Sequence, residues 1–215
     1  MIIAVDGTAA SGKGTLAKRL ASALNLAHLD TGALYRAVAV SALDAGFTAS
    51  DISAQAAENI AQNLDLSLTE SARIRTPEAG EMASVVAAVP EVRSALLNLQ
   101  RQFATTPPEG RDGAILDGRD IATVVLPEAE VKFFVDARAE IRAERRHKEL
   151  INAGHEVMLR DILTSLKERD HRDQNRDHAP LKPAQDSIMV DTSDVDVDGM
   201  VAFALSHIEG SRTGG

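Results

Sequence analysis

The chain opens on a short apolar run, Ile2-Ile3-Ala4-Val5, closed by Asp6 and followed at once by Gly7-Thr8-Ala9-Ala10-Ser11-Gly12-Lys13-Gly14-Thr15. Leu16, Leu20, Ala23 and Leu24 then recur at helical spacing. A buried strand, a glycine loop and a helix start in that order constrain the fold more than any other feature, because this is the context of a phosphate-binding loop. Glycines let successive backbone N–H groups curve around phosphate oxygens, and a helix N-terminus adds partial positive charge. Lys13 supplies a mobile cation for the β- and γ-phosphates of a nucleotide. Residues 7–15 are therefore expected to hold a nucleoside triphosphate whose terminal phosphoryl group is transferred. The bland alternative, a tight turn between a strand and a helix, is disfavoured by the flanking pattern.

Further apolar runs alternate with helical patterns. Leu26–Leu29 ends at Asp30, Ala114–Leu116 at Asp117, Val131–Val135 at Asp136, and Ser187–Val190 at Asp191. This alternation predicts an α/β fold with a parallel sheet of about five strands and helices on both faces. The closing aspartates, Asp6 included, fall where such sheets bind ligands, although capping of the following turns explains them equally, and for Asp136 and Asp191 better. The stretch from the second strand to the third is far longer than one crossover helix needs, so it reads as an insert of several helices. Pro77 and Pro90 sit where helices begin, and 64–75 has room for a small hairpin. Helices are expected over about 138–153 and 157–175, with a disordered tail at 211–215. The expected organisation is a single kinase domain: a core at 1–45 and 110–210, an insert at about 46–109 and a helical lid at about 138–158.

Composition narrows the function. The 215 residues are 44% hydrophobic and 3% aromatic, so the core must be mostly Ala, Val, Leu and Ile. With no cysteine, disulfides, thiolate catalysis and cysteine zinc sites are excluded. A formal charge of −9 argues against a nucleic-acid surface. No run approaches membrane-spanning length, and no basic leader precedes the first strand, so a cytoplasmic enzyme is expected; the partners expected are small molecules, with no nucleic acid or membrane, and the expected state is a monomer. No Asn-Lys-x-Asp segment is present to read guanine.

Several polar constellations admit two readings. Lys167–His178 reads KERDHRDQNRDH, a pattern common on solvated helix faces. Yet Arg169, Asp173 and Arg176 share one face of a helix, and two guanidiniums flanking a carboxylate suit phosphate and sugar hydroxyls. Arg142, Arg145 and Arg146 either pair with Glu140, Glu144 and Glu149 on a surface or swing as lid arginines onto a transferring phosphoryl group. Asp117-Gly118-Arg119-Asp120 either caps a helix or aims Arg119 at a phosphate and Asp120 at a donor on a base. Asp194-Val195-Asp196-Val197-Asp198-Gly199 looks like the start of a calcium loop, but Leu205 stands where a bidentate Glu is needed. The six histidines lack metal-ligand spacing. Tyr35 is expected to pack.

Taken together, the chain resembles the bacterial cytidylate kinases over nearly its whole length. The resemblance rests on GTAASGKGT at 7–15, LDTGALYRA at 29–37, IRTPEAGEMAS at 74–84, PEVRSALLNLQRQF at 90–103, LDGRDIATVV at 116–125 and KERDHRDQNRDHAPL at 167–181. The GKGT form of the loop is that of nucleoside monophosphate kinases. The family implies a three-layer P-loop NTPase-like sandwich with a monophosphate-binding insert and a short helical lid. It implies ATP as co-substrate at Gly7, Thr8, Ala9, Ala10, Ser11, Gly12, Lys13, Gly14 and Thr15, with Mg²⁺ near Thr15, and CMP or dCMP as acceptor. It further implies Arg36 and Arg119 on the acceptor phosphate and Ser84, Arg93 and Asp120 on the pyrimidine edge. Thr31, Asp173 and Arg176 fall at the sugar, Arg169 beside phosphate and sugar, and Arg145 in the lid. Lys13, Arg119, Arg145 and Arg169 are the expected catalytic set. One departure stands out: between Leu68 and Arg75 the chain is shorter than the family, as though a hairpin were missing. Kinases for UMP, shikimate or dephospho-coenzyme A, and a non-catalytic nucleotide-dependent regulator, are the alternatives.

Overall fold

The structure, a computed structural model, describes residues 1–213, and the chain divides into two units, Met1–His28 with Pro107 onward, and Leu29–Thr106. Five strands, β1 (Ile2–Gly7), β2 (Ala27–Asp30), β3 (Ala114–Gly118), β4 (Val131–Asp136) and β5 (Ile188–Asp191), stand in the order β2-β3-β1-β4-β5. β1 pairs in parallel with β3 and β4, and β4 with β5. Ile3 to Gly7 are all buried, which is why β1 reads as a continuous apolar run and not as an alternation. The chain leaves β1 for the edge at β2, returns to β3, then crosses to β4 on the other flank of β1. The carboxyl end of β1 is therefore the switch point at which open parallel sheets take ligands.

The helices are α1 (Lys13–Leu24), α2 (Thr31–Asp44), α3 (Ala54–Gln62), α4 (Pro77–Val86), α5 (Pro90–Thr105), α6 (Ala139–Asn152), α7 (Leu159–Gln174) and α8 (Val197–Thr213). In the first unit, Leu16 and Leu20 of α1 and Met200, Ala204 and Ile208 of α8 bury against Ile3, Val5, Ile115 and Phe133 of the sheet. Each of the larger side chains withdrawn from water stabilises by roughly 1.5–3 kcal/mol. α6 and α7 form a smaller cluster through Ala143, Leu150, Ile162 and Leu166, and Ala9 of the glycine loop packs into it. The second unit closes its own core, with Leu34, Val38 and Ala42 of α2, Ala57 of α3, Met82 and Val86 of α4, and Val92 and Leu96 of α5. Among the described residues no single helix is long and apolar enough to cross a membrane.

Pro77 and Pro90 open α4 and α5, where the missing N–H costs nothing. The stretch 64–75 forms no hairpin. It makes two 3₁₀ turns, Leu66–Glu70 and Ala72–Arg75, because the side chains of Asp65 and Ser71 accept from Ser67 N (2.9 Å) and Arg73 N (3.3 Å) and tie the backbone up locally. Arg73 also pairs with Asp44 of α2. α7 ends at Gln174, so Arg176 lies beyond it and does not share a helical face with Arg169 and Asp173 as the spacing had suggested. Of the tail expected to be disordered, α8 extends to Thr213, and 214 and 215 lie outside the described residues.

Gly7 sits beside Val135 of β4, and a Cβ added there would stand 2.0 Å from the Val135 carbonyl oxygen. Gly7→Ala is expected to cost about 3 kcal/mol or more of unfolding free energy in urea titration, whereas a loss under about 1 kcal/mol would show that β4 yields.

Candidate active site

The glycine loop leaves the carboxyl end of β1 and ends at Gly12, which caps α1 with φ +93 and no side-chain hydrogen bond. Ala10 holds φ +60, a conformation that costs a non-glycine residue roughly 1–2 kcal/mol. The first bond within α1 runs from Leu16 N to Gly12 O (3.0 Å), so the N–H groups preceding it have no helical acceptor. A strained loop that leads into a helix N-terminus is a cradle for an anion.

The loop is braced from several directions. Ser11 Oγ donates to Thr8 O (3.0 Å), Thr8 Oγ1 to Asp136 Oδ1 (2.6 Å), and Thr192 Oγ1 to Ser11 O (2.7 Å). Arg142 is buried, and its Nη1 donates to Ala9 O (3.2 Å), its Nε to Ala137 O (2.8 Å) and its Nη2 to Asp170 Oδ2 of α7 (2.6 Å). Arg142 is thus neither a surface pair nor a swinging lid residue. Arg145 donates through Nη1 to Thr192 Oγ1 (2.9 Å) and through Nη2 to Thr192 O (2.5 Å), which places it one residue removed from the loop. Arg146 pairs with Glu149 at the surface (2.8 Å), the bland outcome of the two expected for it.

Thr15 is exposed in the first turn of α1. Asp117, buried at the end of β3, keeps its Oδ2 2.7 Å from His28 Nε2, and its Oδ1 lies 3.8 Å from the point a Cβ on Gly14 would occupy. A hydroxyl and a carboxylate are hard oxygen donors of the kind Mg²⁺ accepts. Among the described residues no three acidic or histidine side chains converge, so an ion here would take most of its oxygens from phosphates and water, the usual state of Mg²⁺ on a nucleotide.

A second cluster lies past β3 and along α7. Arg119 Nε donates to Asp173 Oδ2 (3.0 Å) and Arg119 Nη1 to Gly118 O (3.3 Å), while Arg169 Nε lies 3.9 Å from Asp173 Oδ2. Burial alone would raise the Asp173 carboxyl, but the guanidiniums of Arg119, Arg169 and Arg176 outweigh it and hold the group below the ordinary aspartate value. Although Arg176 lies off the helix, it still acts on the same carboxylate. Guanidiniums gathered in this way present fork-shaped donors of the kind suited to phosphate oxygens. Asp120 is buried at the start of a π-helical turn, Ile121–Val125.

The remaining expected residues belong to the second unit. Thr31 is buried at the first position of α2. Arg36 Nη1 donates to Ile74 O (3.2 Å), and Arg93 Nη1 donates to Ala87 O (3.2 Å) with its guanidinium 5.7 Å from the Tyr35 ring centroid. Ser84 is buried on α4, and its Oγ has no hydrogen-bond partner among the described residues. Leaving a buried hydroxyl unsatisfied costs roughly 1–3 kcal/mol, so a water or ligand oxygen that bonded it would be stabilising.

The closing aspartates prove mostly to be structural. Asp30 caps α2 by accepting from Ala33 N, and Asp191 accepts from Ser193 N (2.8 Å). Asp136 accepts from both Thr8 Oγ1 and its neighbour Ala137 N. Asp6 accepts from Ile121 N and Ala122 N, each at 2.8 Å. The residues that sequence reasoning missed, Thr192 and His28, carry no local signal, since their partners lie far away in the chain, and for the same reason Arg142 was singled out but not as a buried brace.

The sequence profile of the cytidylate kinase family matches residues 3–210. The chain is 53% identical over 205 residues to a cytidylate kinase of Rhodospirillum rubrum, covering 95% of each chain. It is 52% identical over 214 residues to a cytidylate kinase of Paramagnetospirillum magneticum, covering 98% of this chain and 99% of the other. A solved structure of an uncharacterized protein from Eubacterium ventriosum superposes with a TM-score of 0.56 at 16% identity, over 97% of this chain and 98% of the other, and it shares the fold.

Burial, partly offset by the Ala122 and Ile121 N–H groups, pushes the Asp6 carboxyl up to about 7 from 3.8. The folded state therefore binds a proton that the unfolded chain has already lost, and this group's contribution to stability falls as pH rises from about 4 to 7. Asp6→Asn is expected to gain stability relative to wild type across that window in thermal melts. A stability difference that does not change with pH would contradict the assignment.

Proposed function

The chain belongs to the cytidylate kinase family, and from that premise we propose that it transfers the γ-phosphoryl group of ATP to CMP or dCMP, giving CDP or dCDP. The observation that carries this reading is the convergence of Arg119, Arg169 and Arg176 on the Asp173 carboxylate, in the same unit as the braced glycine loop that leads into α1. One feature is suited to the phosphates of a donor and the other to the phosphate of an acceptor.

In this mechanism the acceptor phosphate is itself the nucleophile. Already anionic, it needs no general base, and alignment with charge neutralisation supplies the catalysis. The N–H groups of the loop and Lys13 hold the β- and γ-phosphates. Arg119 and Arg169 hold the acceptor phosphate and offset charge as it spreads over the loose transition state. Mg²⁺, when bound with the nucleotide near Thr15 and Asp117, supplies further charge neutralisation. Arg145, one residue from the loop through Thr192, serves the donor side.

The acceptor nucleoside is read by polarity. Cytosine presents an amino donor beside an N3/O2 acceptor edge. Asp120 accepts from the amino group, while Ser84 and Arg93 donate to the acceptor edge. Uracil carries an oxygen at the amino position and would face Asp120 with a second acceptor, which is the basis of discrimination. The partnerless Ser84 Oγ supports this role for Ser84. Asp173 and Arg176 take the sugar hydroxyls together with Thr31, and Arg36 reaches the acceptor phosphate.

Lys13→Ala is expected to lower kcat by about a hundredfold or more, the scale of a lost transition-state contact, as measured by coupled ADP release. Ser84→Ala is expected to raise KM for CMP with little change in KM for ATP. A panel of CMP, dCMP, UMP and AMP tests the assignment as a whole: preferred turnover of UMP or AMP over CMP would overturn it, and ATP binding without transfer to any monophosphate would overturn the enzyme reading.

A further inference from the structure

Asp6 is a costly residue that the reaction as described does not use. It stands near the end of the central strand, 1% exposed, with its backbone held on both sides by register with Gly118 of β3 and Phe134 of β4. Its carboxylate accepts from Ile121 N and Ala122 N at 2.8 Å each. These are the first two residues of the π-helical turn Ile121–Val125, in which Asp120 O accepts from Val124 N (2.9 Å) and Val125 N (3.1 Å).

Ordinarily a turn like this is capped by its own leading residue, and aspartate is among the best residues for the task. Asp120 occupies the cap position and makes no side-chain cap bond. The donors it would satisfy are already taken by Asp6, more than a hundred residues earlier in the chain. The arrangement works against stability. Asp6 is buried, and the neighbouring Asp120 charge adds to the difficulty of ionising it, with Arg119 giving some relief. Two buried carboxylates are kept close together where one would suffice to cap the turn. Such locally unfavourable arrangements are typical of functional sites, as are single π turns.

We propose that Asp6 is a positioning residue for acceptor choice: by capping the 121–125 turn from the adjacent strand, it keeps the Asp120 carboxylate from folding back onto its own turn, so that it keeps the orientation in which it meets the cytosine amino group. This rests on the base-reading role given to Asp120 above. Without Asp6, the Ile121 and Ala122 N–H groups lose their acceptor, and Asp120, already at the cap position, turns back to satisfy them. The enzyme then loses its acceptor for the amino group without losing the residue.

The test uses Asp6→Asn, which keeps the volume but presents an NH₂ group to one of the two donors. It is compared with Asp120→Asn and with the double variant, each assayed on CMP and UMP. Asp6→Asn is expected to lower the CMP-to-UMP ratio of kcat/KM by about tenfold, the scale of one lost hydrogen bond, with KM for ATP changed by less than about twofold. The double variant is expected to discriminate no worse than Asp120→Asn alone, because both changes remove one interaction. A ratio in Asp6→Asn equal to wild type, or losses that add in the double variant, would overturn the inference. An unchanged ratio in Asp120→Asn removes the base-reading role itself, whereas an altered ratio there beside an unaltered one in Asp6→Asn removes only the positioning role. If Asp6→Asn does not fold, amide exchange on the wild type decides the matter: slow exchange at both Ile121 and Ala122 supports the cap, and fast exchange at either overturns it.

Discussion

The contact between Arg119 and the buried Asp173 carboxylate is the interaction that holds together the cluster proposed to meet the acceptor. Arg119 emerges from the end of β3, Asp173 lies on α7 and Arg176 follows it in the loop. Guanidiniums brought together without an anion would repel one another and splay apart. Asp173 makes their convergence tolerable and so sets the orientation of donors of the kind that meet anionic oxygen before substrate arrives. Catalysis of phosphoryl transfer draws on that kind of preorganised charge more than on proton transfer.

The donor side follows the same logic with backbone in place of side chains. The glycine loop holds a positive φ at Ala10, which costs stability, and gives α1 no side-chain cap. Its conformation is maintained by groups from distant segments: Asp136 at the end of β4, Thr192 after β5, and Arg142 from α6. Arg142 is the most informative of these. It joins Ala9 O to Asp170, the residue between Arg169 and the turn that carries Asp173. The same buried side chain therefore supports the donor loop and the helix that presents the acceptor cluster, so neither can shift far without disturbing the other.

Much of this was legible in the sequence where the determining physics is local. Apolar runs closed by aspartates located every strand to within about two residues, since strand burial and turn chemistry are both encoded nearby. Pro77 and Pro90 marked helix starts because the ring fixes φ. The glycine loop declared itself by its neighbours. What escaped notice depended on partners remote in the chain. Arg142, set among Glu140 and Glu144, reads as part of a solvated face, and only Ala9 and Asp170 show it to be buried. Arg176 had the spacing of a helical neighbour of Asp173, but α7 stops short of it. The 64–75 stretch became two 3₁₀ turns because Asp65 and Ser71 captured adjacent N–H groups, a competition that strand patterning does not register. Asp6 was visible as a strand-closing acid, but its capture of the 121–125 turn was not.

The central claim is that the guanidiniums gathered at Asp173 are there for the acceptor's phosphate. The most direct measurement is a pair of calorimetric titrations of the wild-type protein, one with CMP and one with cytidine, at the same low ionic strength. The account predicts that CMP binds at least about a hundredfold more tightly, the return on charge-assisted contacts to the phosphate group. Equal affinities for the two would contradict it, because the guanidiniums would then be contributing nothing to the anion they are arranged to meet.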